Sequence, residues 1–184
     1  MTPKDVPETI TDAVSPSVTP SVPEVVAAAP ELTRVGNDES DWNREFDPRS
    51  DARERALNIL FEADVRSIDP AEVVARMQVA IDKLTDVLVV GVSRHRTRID
   101  ELISSHSHAW SIERMATTDR NALRIGTFEL IDRDDIPTAV ILNEAVELAK
   151  RYGTDDSGRF VNGLLAAIAR TVRDGAPPPT RNPD

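Results

Sequence analysis

The imidazoles of His106 and His108 have the chemistry of metal ligands, and the acids Asp132, Asp134, Asp135, Asp155 and Asp156 have the composition of a magnesium site or of paired carboxylates. Neither group carries the rest of what such chemistry needs. A spacing of two residues puts the histidines on different faces of a helix, with no third ligand beside them, so a solvated helix end is the expectation. Acids at helix junctions complement the helix dipole, at about 0.3–1 kcal/mol each. No phosphate-binding glycine loop, G-x-S-x-G elbow or H-E-x-x-H pattern occurs. The absence of cysteine excludes disulfides, thiolate zinc, iron–sulfur clusters and cysteine nucleophiles. A binding module is expected, with no catalytic residue, metal or cofactor. Two basic clusters suit that role. Arg49 and Arg53 lie one helical turn apart, with Arg55 nearby, at the opening of a helix whose free N–H groups also favour an anion such as an RNA backbone. Arg94, His95, Arg96 and Arg98 form the second, but on a helix they point in several directions and can pair with Asp100 and Glu101.

The elements that must position these residues occupy only part of the chain. Its 184 residues suffice for one well-cored domain. Seven of the 13 prolines lie in residues 1–48 and four in 177–183, leaving Pro70 and Pro137 between. Nine acids against three bases give residues 1–46 a charge of −6 out of the chain's −10. Such a segment buries too little apolar surface to offset its ordering entropy, so 1–46 and 175–184 read as disordered tails around a domain at 47–174. The net charge argues against nucleic-acid binding through bulk positive charge, and any such contact must be local. The opening MTPKDVPETITDA has no apolar core of a signal peptide, and no apolar run reaches membrane-spanning length. A cytoplasmic protein without membrane contact is expected.

Apolar residues in the core recur at helical spacing, which predicts an all-α fold of about seven helices. Ser50 can cap a first helix carrying Ala52, Ala56, Ile59, Leu60 and Ala63, with Glu54 closing a capping arrangement. Asp69-Pro70 opens a second near 70–79. A long third segment is expected over about 82–105, and a short turn of helix at 111–115. Thr118 can cap a helix that stops at DRDDIP, and Thr138 begins another that ends at Gly153, read as a left-handed C-terminal residue. A last helix over about 156–173 contains Gly163, read as a point of close helix approach.

The C-terminal half carries more than a pattern. Leu123–Ile125, Glu129-Leu130, Ile136-Pro137, Leu142–Lys150, Ser157 and Phe160–Leu164 stand where the NusB family of transcription antitermination factors has LRI, EL, an acidic turn with VP or IP, INEAVELAK, S and FVNG-L. The first helix, ARERALNILFEADV, is also similar to the family's opening, so the resemblance covers roughly 49–172. It implies two small packed antiparallel helical bundles. It also implies a non-catalytic adaptor that binds boxA RNA together with ribosomal protein NusE, in an antitermination complex with RNA polymerase acting chiefly on ribosomal RNA operons. Residue by residue, the family's basic RNA positions fall on Arg49, Arg53, Arg124 and Arg159, while two more are Ser50 and Asp51 here. The NusE-facing positions fall on Phe61, Asp119 and Asp156, with phenylalanine in place of the commoner tyrosine. Two competing readings are the NusB-like RNA-binding domain of ribosomal RNA cytosine methyltransferases, which needs a catalytic domain with a cysteine, and a structural module that forms a homodimer.

Overall fold

The computed structural model describes residues 47–107 and 110–177. The expectations for residues 1–46, for His108 and for 178–184 lie outside the described residues. Seven helices follow in order: α1 (Pro48–Arg66), α2 (Pro70–Arg76), α3 (Lys83–Arg94), α4 (Arg96–His106), α5 (Thr117–Asp132), α6 (Thr138–Tyr152) and α7 (Ser157–Arg173). A 3-10 turn over Ile112–Arg114 precedes α5, and there is no strand among the described residues. The first bundle packs α1 against α2 and α3; the second packs α5, α6 and α7, with α4 lying against α5 and α7. α5 also touches α1 and α3, so it is the shared wall of both bundles. This is why every residue from Asn121 to Leu130 is buried and the helix has no solvent face over that stretch.

Local chemistry explains where the helices begin and end. Asp47 caps α1 by accepting the Arg49 N–H at 2.9 Å, with Pro48 at the first helical position. Ser50 therefore does not cap α1: it lies inside the helix and donates to Glu144 at 2.7 Å. Glu54 closes no capping box either, and instead meets Arg151 and Tyr152 of α6. Asp69 and Asp82 cap α2 and α3 through their carboxylates, as the Asp-Pro pair at 69–70 predicts for the former. α5 has no side-chain cap and Thr118 lies inside its first turn, so Thr118 does not cap it, whereas Thr138 begins α6 as expected.

The expected long segment over 82–105 is two helices. His95 leaves helical geometry at φ −100°, ψ 13°, and both its backbone N–H and its Nδ1–H donate to the Gly91 carbonyl, each at 3.0 Å. Its ring also rests on Phe128, with centroids 5.9 Å apart. A Cβ on Gly91 would stand 2.1 Å from the Phe128 ring, so α3 and α5 meet there only because the position is glycine. Gly126 has the same role toward Leu165 and Ala145. Gly163 does not: it faces open space, because α7 turns its other side inward. Gly153 is not left-handed but extended, and what restricts it is crowding by the Ser157 hydroxyl and the Ala149 carbonyl.

Candidate functional site

Three polar clusters surround α5, and they sort the residues singled out in the sequence. At its C-terminal half, Arg53 of α1 lays its guanidinium on Glu129, with Nε 3.2 and 3.1 Å from the two carboxylate oxygens and Nη2 at 2.8 Å. Glu144 of α6 lies 3.6 Å from Nη1, and Ser50 holds Glu144 in place. The Arg53 and Glu129 side chains are 3% and 1% exposed, so this pair is sealed between the bundles. A cation so buried and paired has no free face for a phosphate. The placement of Arg53 as an RNA contact is therefore corrected: it binds α1 to α5 and α6.

The same holds for Arg124. Its Nε and Nη2 form a fork with Asp100 of α4 at 2.8 and 3.0 Å, while Nη1 reaches Asp64 of α1 at 2.8 Å and the Asn121 side-chain carbonyl at 3.1 Å. Asp64 also accepts from Arg120 at 3.0 Å and Arg96 at 3.1 Å. Burial pushes the Asp64 carboxyl up, but Arg124, Arg120 and Arg96 together outweigh it and hold the group below the ordinary carboxylate range. Arg124, 3% exposed, is a hub joining α1, α4 and α5 rather than an RNA contact. Arg96, from the second basic cluster, is spent on the same hub.

Arg49 and Arg159 stay exposed. Arg49 stands on the first turn of α1, and Arg159 on the first turn of α7, 89% exposed and 3.7 Å from Asp156. An ion pair this open is worth little, so Arg159 remains available to an anion.

The third cluster lies where α5 and α7 begin. Asp119 is 8% exposed, and its Oδ2 accepts from the Ser157 hydroxyl at 3.0 Å. Ser157 in turn accepts the Thr154 N–H at 2.8 Å, tying the α6–α7 connection to α5. The other carboxylate oxygen, Oδ1, is buried without a partner. Burial drives the Asp119 carboxyl above its ordinary range, and the Ser157 hydrogen bond only partly opposes it. Above this floor lies a groove of about 420 Å³ lined by Trp110, Arg114, Met115, Asp156 and Phe160 among others. Asp156 stands on its rim at the N-cap position of α7, as expected of an acid that complements the helix dipole, and makes no side-chain hydrogen bond to the helix.

Asp119 and Asp156, both assigned on sequence to the protein partner, thus line one groove, and Arg159 stands 3.7 Å from Asp156. Phe61 is half-buried on α1, apart from it. Sequence reasoning missed Trp110, Arg114 and Phe160 as groove residues. A tryptophan in a polar connection of a chain with 4% aromatics was the available signal. His106 is buried and bonded to Thr171 at 2.9 Å, and no group of three metal-ligating side chains forms among the described residues.

A small all-helical module whose buried charges brace its helices and whose exposed charges ring a groove is built for binding. Comparison with known proteins places it: the NusB family model matches residues 50–170, and the chain belongs to that family. It is 46% identical over 126 residues to transcription antitermination protein NusB of Nocardioides sp., covering 66% of this chain and 93% of that protein. It is 42% identical over 142 residues to that of Acidothermus cellulolyticus, covering 74% and 98%. Among solved structures it resembles T. maritima NusB, with 36% identity, a TM-score of 0.62 and coverage of 68% of this chain and 93% of that one. It also resembles a chain from the crystal structure of antitermination factors NusB and NusE in complex with dsRNA, with 33% identity, a TM-score of 0.58 and coverage of 67% and 96%. No helix among the described residues is long and apolar enough to cross a membrane.

Proposed function

We propose that this chain is a transcription antitermination factor that binds boxA RNA of nascent transcripts together with ribosomal protein NusE, in the cytoplasm, within an antitermination complex with RNA polymerase on ribosomal RNA operons. It acts by binding, without a catalytic step. The observation that carries this reading is likeness over the whole folded domain to NusB proteins, one of them solved with NusE and dsRNA.

The charge distribution supports a shared RNA site. Residues 47–184 have a net charge of −4, and Arg53 and Arg124 are neutralised within the fold, so contact with phosphates falls to the exposed cations. Arg49 and Arg159 take that role here, and NusE supplies the remainder of the RNA surface. Phe61, Asp119 and Asp156 face NusE, with Phe61 offering an apolar contact.

The test is a pull-down of NusE followed by a gel shift on boxA RNA with each protein alone and then with both. Tight RNA binding by the pair and weak binding by either alone is expected. Failure to retain NusE overturns the reading. Light scattering of the chain with and without NusE adds the oligomeric state: a homodimer that does not open for NusE favours the structural-module reading instead.

A further inference from the structure

Arg49 stands where the folded domain meets a strongly acidic stretch of chain. It is exposed on the first turn of α1 and forms no ion pair among the described residues. The acids of the fold around it are engaged elsewhere: Asp47 caps α1, Asp135 is held by Arg133 through two bonds of 2.9 Å, and Asp51 projects from the other side of the helix. Immediately before the helix, residues 36–46 carry Asp38, Glu39, Asp41 and Glu45 against Arg44, a net charge of −3. Covalent reach limits how far these acids can stand from Arg49. At about 3.3–3.6 Å per residue, Glu45 stays within about 14 Å and Asp41 within about 29 Å, whatever conformation the segment takes. Charges in water act over about 30 Å at 0.01 M salt and about 10 Å at 0.1 M. A phosphate that approaches Arg49 at low ionic strength therefore meets the acids as well as the arginine.

We infer that residues 36–46 are a built-in electrostatic opponent of RNA, tethered beside Arg49, that lowers the affinity for every strand. Tight binding is then left to RNA that is also held through its bases or through NusE. The domain offers the segment's charge no neutralising surface overall: residues 47–184 carry −4, so segment and domain repel. Repulsion acts on phosphates, which are the same in every sequence, and it fades with salt. The segment thus raises the threshold for non-specific RNA and leaves discrimination to contacts that read bases. The inference rests on the RNA-binding reading above and goes beyond it by giving the acidic stretch a regulatory role at Arg49.

The experiment uses the full chain with saturating NusE and follows the anisotropy of a labelled RNA strand, boxA or scrambled, at about 0.01 M and about 0.2 M salt. Two triple variants change the charge equally. One neutralises acids near Arg49 (Glu39→Gln, Asp41→Asn, Glu45→Gln), the other acids far from it in the chain (Asp5→Asn, Glu8→Gln, Asp12→Asn). The near variant should bind both strands about three- to tenfold more tightly than wild type at low salt, with the ratio falling towards one at the higher salt. The far variant should change affinity less, and both should melt with wild type. Wild-type affinity of the near variant at low salt overturns the inference and leaves the RNA reading standing. Equal gains from the two variants overturn the tethering beside Arg49, and a gain confined to boxA overturns repulsion as the cause. No RNA binding in any arm overturns both readings together.

Discussion

A single carboxylate, Asp119, carries opposing demands of stability and binding. Its pKa is raised in the fold, so the folded state holds its proton more tightly than the unfolded chain does. The associated stability is present below the unfolded value and is lost as pH rises through the folded one, leaving a cost at neutral pH. Asp119→Asn keeps an oxygen for Ser157 and removes the buried charge. Its melting temperature should exceed wild type at pH 7, with the gap closing in acid; a lower midpoint at pH 7 would show the carboxylate to be stabilising. Arg124 behaves oppositely. Arg124→Met leaves Asp64 and Asp100 short of a partner inside the α1–α4–α5 hub, at a cost of about 3–5 kcal/mol in urea unfolding. Asp64 has a lowered pKa, so its stabilisation is present above the unfolded value and is lost as pH falls through the folded one. Weakening its cationic surroundings raises that folded value, and acid unfolding of the variant should begin at higher pH. Unchanged stability with impaired RNA binding would return Arg124 to the RNA surface.

Among the elements, α5 holds the two bundles together and Gly91 sets its distance from α3. Adding one methyl at Gly91 forces the Phe128 ring aside, and with it the His95 ring that rests on it. Gly91→Ala should therefore destabilise the domain by about 1–3 kcal/mol despite its better helix propensity. Gly163→Ala, at a helical position open to solvent, should do the reverse by roughly 0.5–1 kcal/mol. Thermal unfolding of the two variants in parallel checks both signs. The end of α5 is secured from α7: Arg173 donates to the carbonyls of Leu130 at 2.8 Å, Arg133 at 2.9 Å and Glu129 at 3.1 Å. A cation there also complements the negative end of the helix dipole.

For the molecule as a whole, the acidic net charge makes RNA binding depend on a few placed cations and on the partner. If Arg49 neutralises one phosphate of a single strand, Arg49→Ala should lower the slope of log affinity against log salt by about 0.7 in the complex with NusE. The change should be nearly the same on boxA and on a scrambled strand, since phosphate contacts position RNA without reading it. Arg53→Ala is the informative comparison. Its guanidinium is sealed against Glu129, so it should reduce stability and leave the slope of the folded fraction unaltered. A slope lowered by about 0.7 with Arg53→Ala and unchanged with Arg49→Ala would reverse the assignment.

What the chain's own pattern determined was local. Helical periodicity, the Asp-Pro and Ile-Pro boundaries and the family segments from Leu123 to Leu164 settle the fold class and the span of most helices, because these depend on neighbours within a few residues. Even there, a break as small as His95 was invisible, since the contact that favours it comes from Phe128, 33 positions away. The fate of the arginines was decided only by tertiary structure. Arg49 and Arg53 look alike in sequence, one turn apart; one faces solvent and the other is closed off by Glu129 and Glu144, acids 76 and 91 positions downstream. Likewise Trp110, Asp119 and Asp156 belong to separate segments and become one groove only when α7 begins beside α5. Charge and chemistry are written residue by residue, but whether a charge is solvated, paired or left facing a groove depends on which distant surface the fold brings against it.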